Sequence, residues 1–300
     1  MTDTRIRINE VGLRDGLQSQ SRHLTLDERL RLARSLMDAG LRNLEIGSFV
    51  SPKAVPQMAG TGELIAALEL PEGVHLSALI PNMKGYELAR GAGIETVAVV
   101  VSATETMNLK NINMSLEKTL DVARAIITRG VSEGARVQAY LAVAFECPFE
   151  GPTPGDTVLA QAAQLAEWGA HEIVIADTIG AAHPSAVREL MDTLVAAHGA
   201  DRLACHFHDT RAMGLANVFA AIESGVRQFD SSVGGLGGCP FAPGAKGNVA
   251  TEDVVMLCEQ MGFNTGVDMP ALLRSVELVS ELIGAPQGGR AHYWLSRNAA

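Results

Sequence analysis

The sequence predicts a TIM (β/α)8 barrel on three observations: a helix-to-strand joint that recurs four times, eight strand-like runs, and amphipathic helical stretches between them. The joint reads DAGLRNLEIGSF (38–49), GAGIETVAVVVSA (91–103), EWGAHEIVIADT (167–178) and ESGVRQFDSSVG (223–234). In each, a glycine suits the left-handed residue that ends a helix, polar residues turn the chain, and a short β-branched run follows as a buried strand. The runs IRINEVGL near the start, VHLSALIP (74–81), RVQAYLAVAF (136–145) and LACHFHD (203–209) bring the strand candidates to eight. Between them lie LTLDERLRLARSLMDA, SLEKTLDVARAIITRG, TVLAQAAQLAEWG and PSAVRELMDTLVAAHG, each with apolar residues at helical spacing. Eight such units within the usual barrel length of ~250 residues predict one catalytic domain over 1–300, with a helical extension from roughly residue 270 to 300. A doubly wound open sheet is the alternative fold.

Composition narrows the function classes. Hydrophobic residues make up 47% of the 300 residues and charged ones 19%, enough to bury a large core. The opening MTDTRIRINEV lacks the apolar run of a secretory signal, and no segment has the uninterrupted apolar length of a membrane span, so a cytoplasmic location is expected. Cys147, Cys205, Cys239 and Cys258 show no CxxC spacing, which argues against a zinc knuckle and a disulfide framework. A net charge of −10 argues against nonspecific nucleic-acid binding.

A barrel places its active site at the carboxyl ends of the strands. Arg14 and Asp15 arrive there together in RDGLQ after strand 1, Glu45 from strand 2, Asp177 from strand 6, and His206 and His208 from strand 7. Two histidines two apart on a strand face the same side and can share one metal. Asp15 and Asn248 add oxygens, giving a mixed N/O set without thiolates that suits Mg²⁺ or Mn²⁺. Plainer readings stand beside these. Either histidine could be a hydrogen-bonded rim residue, Arg14 and Asp15 a simple salt bridge, and Glu45 and Asp177 either supports or direct catalysts. Glu252 could favour a helix dipole. Cys147, Cys205 and Cys258 read as small buried hydrophobes. The loop GGLGGCPFAPGAKGNVATED (234–253) holds Cys239 in a glycine-rich tether and fits neither a P-loop nor a dinucleotide fingerprint.

The motifs VGLRDGLQ, IGSFVSPKAVPQMAG, KNIN, CPFEG, ADTIG, HFHDT and GGLGGCPFAPGAKGNVATED, in this order along most of the chain, resemble the 3-hydroxy-3-methylglutaryl-CoA (HMG-CoA) lyases. The RDG and HxH elements are shared with the wider group of metal-dependent barrel lyases and Claisen-type synthases, including isopropylmalate and homocitrate synthases; the Cys239 loop and SFVSPKAVPQMAG point more narrowly to the CoA lyases. The resemblance implies that Asp15, His206, His208 and Asn248 ligate a divalent cation. It implies that Arg14 faces the thioester carbonyl, that Cys239 is a mobile catalytic thiol, and that Glu45 and Asp177 are polar supports. It further implies an acyl-CoA substrate, retro-Claisen cleavage of HMG-CoA to acetyl-CoA and acetoacetate, and a homodimer. Leu13 stands where the lyases usually have proline, and TRAMGLAN departs from their usual run after the histidine pair. Those departures keep three alternatives in play: another 3-hydroxyacyl-CoA such as citramalyl-CoA or a longer 3-alkyl homologue, a condensing synthase, and a noncatalytic CoA-binding barrel.

Overall fold

A computed structural model describes residues 4–238 and 246–298. Its central feature is a closed barrel of parallel strands: β1 (Arg7–Glu10), β2 (Asn43–Ser48), β3 (His75–Leu79), β4 (Thr96–Ser102), β5 (Arg136–Ala142), β6 (Glu172–Asp177), β7 (Leu203–Phe207) and β8 (Gln228–Ser231). The strands pair in sequence order and β1 closes on β8, with Ile8 opposite Phe229 and Asn9 opposite Asp230. All eight expected strands are present, and the barrel prediction holds.

The repeated joint has the backbone its glycines require. Gly40, Gly93, Gly169 and Gly225 have φ of 94°, 86°, 97° and 98°, a region that costs a side chain but not glycine. At Gly40 a Cβ would also lie 2.4 Å from the Gly266 carbonyl oxygen. Each joint then feeds a strand, which can start only where the preceding helix has stopped.

The helices are α1 (Leu26–Asp38), α2 (Thr61–Ala66), α3 (Met83–Gly91), α4 (Glu105–Ile112), α5 (Leu116–Ser132), α6 (Gly155–Glu167), α7 (Pro184–His198), α8 (Gly214–Glu223), α9 (Thr251–Gln260), α10 (Met269–Ile283) and α11 (His292–Asn298). Thr25 and Glu28 form a reciprocal capping box at the start of α1. The main core lies between the strands' outward faces and these helices, where Leu32, Leu36, Leu44, Ile46, Val97 and Ile173 are buried. A smaller layer of Ala98, Tyr140, Val174 and Ala204 packs within the lumen. The segment expected as an extension from about residue 270 begins with α10, which packs on α1 and α9 and closes the helical ring. No described helix is long and apolar enough to cross a membrane.

Candidate active site

Strand β1 ends at Glu10, and after Val11 comes a π-helical turn, Gly12–Gly16, that carries Arg14 and Asp15. Glu10 builds that turn. Its Oε1 accepts from the Gly12 and Val233 amides at 2.8 and 2.9 Å, and its Oε2 accepts from the Thr251 hydroxyl at 2.6 Å. A Cβ on Gly12 would lie 2.5 Å from Glu10 Oε1, so glycine is what lets the turn fold back on this carboxyl. Burial pushes Glu10 up to about 7.

The Arg14 guanidinium is buried and clamped: Nε donates to Glu45 Oε2 and Nη1 to Asp15 Oδ1, both at 2.6 Å. Glu45 lies within β2 rather than at its end, fully buried, with its second oxygen unpartnered among the described residues. Burial by itself would depress the Arg14 pKa, but the two carboxylates outweigh it and hold the guanidinium charged. Burial likewise opposes ionisation of Asp15, yet Arg14 and the two histidines hold its carboxyl well below the usual range.

His206 is the penultimate residue of β7, and His208 follows immediately beyond the strand; their ring centroids are 5.1 Å apart. His206 Nδ1 is 2.9 Å from Asp230 Oδ2, which leaves Nε2 as the nitrogen free to bind a ligand. His208 Nε2 lies 3.6 Å from Asp15 Oδ2. Asp15, His206 and His208 each offer a ligand atom within 4.8 Å of the others, a group with the spacing of a metal site. Asn248 joins them because the chain after residue 245 returns along the end of β7, with the Val249 amide donating to the Phe207 carbonyl at 2.9 Å and Asn248 bridging His208. The return passes so near the outgoing arm that a Cβ on Gly247 would lie 2.4 Å from the Gly235 carbonyl oxygen. Asn248 Nδ2 donates to Asp15 Oδ2 at 2.8 Å, and its Oδ1 is buried with no partner among the described residues. An orphaned acceptor beside a carboxylate and two imidazoles fits a cation site.

These groups open into a cavity of about 290 Å³ lined on its polar side by Arg14, Asp15, Gln18, Tyr140, His206 and His208. Its apolar side runs toward α4 and α5 through Leu79, Val99, Met107, Ile112, Val122 and Ile126. Asp177 does not line it. Both oxygens of Asp177 are taken by backbone amides, Ala181 at 2.8 Å and Ala182 at 3.0 Å, so this carboxylate shapes the loop after β6. Glu252 does more than sit at a helix start: its oxygens accept from Gly289 at 2.7 Å and Gly234 at 3.1 Å, tying the segment before α11 to the loop after β8. Cys239 lies outside the described residues, whereas Cys147, Cys205 and Cys258 are buried free thiols.

Residues 5–279 match the HMGL-like family profile. The hydroxymethylglutaryl-CoA lyase of Pseudomonas mevalonii is 41% identical over 295 residues, covering 98% of both chains. The chain belongs to the HMG-CoA lyase family. A Pseudomonas aeruginosa member, named 3-hydroxy-3-isohexenylglutaryl-CoA/hydroxy-methylglutaryl-CoA lyase, is 40% identical over 287 residues, 96% of each chain. The solved HMG-CoA lyase of Acinetobacter baumannii, in complex with coenzyme A and 3-methylmalate, superposes with a TM-score of 0.92 at 34% identity, over 98% of this chain and 95% of that one. In a family that depends on divalent metal, the Asp15, His206 and His208 group is the metal-site candidate among the described residues.

Sequence reasoning missed the HMG-CoA lyase family member's inner support. Asp230 of β8 accepts from His206 Nδ1, from the Tyr140 hydroxyl at 2.8 Å and from Asn9 Nδ2 at 2.9 Å. It is 2% exposed and fixes one ring edge of a candidate ligand. The signal was a carboxylate at an inward position of a strand, FDSSV, where apolar residues are the rule.

Proposed function

We propose that the chain is a carbon–carbon lyase that cleaves HMG-CoA to acetyl-CoA and acetoacetate. The observation that carries this reading is the convergence of Asp15, His206 and His208 beside a clamped Arg14 at the mouth of one cavity. Asp15, His206, His208 and Asn248 would hold Mg²⁺ or Mn²⁺, which would supply a Lewis acid to lower the pKa of the substrate's tertiary hydroxyl. Arg14 cannot swing away, because Glu45 and Asp15 hold two of its nitrogens, and so it offers fixed positive charge to the thioester oxygen. A base takes the proton of the tertiary hydroxyl; as the C–O π bond forms, the C2–C3 bond breaks, its electron pair passes to C2 as an acetyl-CoA enolate, and C3 becomes the ketone of acetoacetate. Arg14 stabilises that enolate more than the neutral thioester, which is what accelerates cleavage. Cys239, within the glycine-rich sequence GGLGGCPFAPGAKG, delivers the proton to C2.

The apolar side of the cavity favours a second reading on the same chemistry. A methyl group at C3 needs little room, whereas the wall from Leu79 to Ile126 accommodates a longer 3-alkyl chain. A coupled assay with a divalent cation and HMG-CoA, citramalyl-CoA and a longer 3-hydroxy-3-alkylglutaryl-CoA tests both. Highest kcat/KM on HMG-CoA supports the first reading and highest kcat/KM on the longer homologue the second. Turnover only in the direction that consumes acetyl-CoA and a 2-oxo acid would replace both with a synthase.

A further inference from the structure

After α10 the chain brings the residues QGGR (287–290) back against the foot of the loop that follows β8. The Gly288 amide donates to the Gly234 carbonyl on the outgoing arm at 3.1 Å, and the Gly289 amide to Glu252 Oε1 at 2.7 Å. The Arg290 and Ala291 amides then take one oxygen each of Asp253, at 2.6 and 3.0 Å. Asp253 lies in the first turn of α9 and is 2% exposed. A Cβ on Gly289 would lie 2.5 Å from Asp253 Cγ, so glycine is what permits this approach. The main chain at Arg290 is fixed before its side chain makes any contact.

From that base Arg290 reaches Asp209: Nε donates to Oδ2 at 2.6 Å and Nη2 to the main-chain carbonyl at 3.3 Å. An exposed ion pair is ordinarily weak, because two long side chains must be ordered to form it. Here the Arg290 side chain is 52% exposed, yet it starts from a held backbone and grips Asp209 at two points. Asp209 directly follows His208, and its other carboxylate oxygen accepts from the Gly214 amide at 2.9 Å. Its amide donates to the Gly247 carbonyl at 3.0 Å, while the Val249 amide donates to the Phe207 carbonyl at 2.9 Å. His208 and Asn248 therefore face each other between two main-chain hydrogen bonds, one of which is made by the residue that Arg290 grips. The two imidazoles are held in different ways. Asp230 fixes His206 through Nδ1, whereas His208 Nδ1 is buried with no partner among the described residues. The His208 ring takes its place from its main chain.

We propose that Arg290 is a positioning residue for the cation site, acting through Asp209 to keep His208 and Asn248 in the register that a shared ion requires. The inference rests on the reading of Asp15, His206, His208 and Asn248 as ligands of a divalent cation.

The test is titration of the metal-stripped full chain with Mn²⁺, followed by calorimetry, in the parent, Arg290→Met, Asp209→Asn, the double variant and His208→Ala. Arg290→Met should bind Mn²⁺ about ten-fold more weakly, the lower end of what the loss of an outer partner costs a metal site. Its unfolding midpoint should stay within about 4 °C of the parent, as for an exposed pair in a chain of this size. Asp209→Asn should weaken the ion at least as much, and the double variant no more than Asp209→Asn alone, because both changes remove one contact. Parent affinity in Arg290→Met, losses that add in the double variant, or a fall in affinity matched by a larger fall in the midpoint would overturn the proposal, provided His208→Ala loses the ion. Parent affinity in His208→Ala would instead overturn the reading of the cation site, and the proposal with it.

Discussion

Asp230 shows how little of a candidate metal site resides in the residues that would bind the ion. Its two oxygens take three donors, from β1, β5 and β7, and the bond to His206 Nδ1 both sets the ring's tautomer and aims the other nitrogen at Asp15 and His208. Asp230→Asn keeps the volume but removes the charge, so affinity for a divalent cation should fall ~10–100-fold in a titration of metal-stripped protein. Unchanged affinity would remove Asp230 from the support of the site. Cys239→Ala separates the thiol from the ligands: kcat should fall about 10²–10⁴-fold, the scale of a positioned acid, with metal affinity intact. A parent rate in that variant would leave the loop without chemistry. The candidate ligand set was visible in the sequence because aspartate and HxH fall at or just past strand ends and asparagine in the loop after the last strand, where polarity is conspicuous. Asp230 left only the trace of a carboxylate within a buried strand, and its bonds to Tyr140 and His206 appear only when β5, β7 and β8 are brought side by side.

The turn after β1 is the element on which the site's geometry rests, and Glu10 holds it. The Glu10 carboxyl is raised from 4.5 to about 7, so the folded chain keeps a proton that the unfolded chain has lost between those values. Its stabilising contribution is complete below about pH 4.5, declines as pH rises toward 7, and is gone above that. The shift corresponds to about 3 kcal/mol at most. Glu10→Gln keeps the acceptor for the Gly12 and Val233 amides and donates to Thr251, so its stability should decline less steeply than the parent's across pH 4.5–7 in denaturant titrations. Parallel pH profiles would mean that Glu10 is ionised throughout. The strand itself was evident from IRINEV, but not the π turn that follows, since a single backbone detour held by one carboxyl leaves no periodicity.

At the scale of the whole molecule, the closure of β8 onto β1 makes one site from residues 233 positions apart, Asp15 and Asn248. The architecture was readable because the helix-ending glycine repeats at a fixed place before four strands, and a chain that alternates helix and strand eight times has few ways to bury both faces of a parallel sheet. The docking of α10 on α1 was not, because the apolar stripe of a helix declares that it packs and not against what. The barrel thereby sets a histidine pair, a carboxylate and a buried guanidinium around one cavity, and the claim that follows is metal-dependent cleavage of an acyl-CoA. Metal-stripped protein given HMG-CoA should release no acetoacetate, and Mg²⁺ or Mn²⁺ should restore release in the parent but not in His208→Ala; full turnover in a preparation verified free of metal would contradict the account.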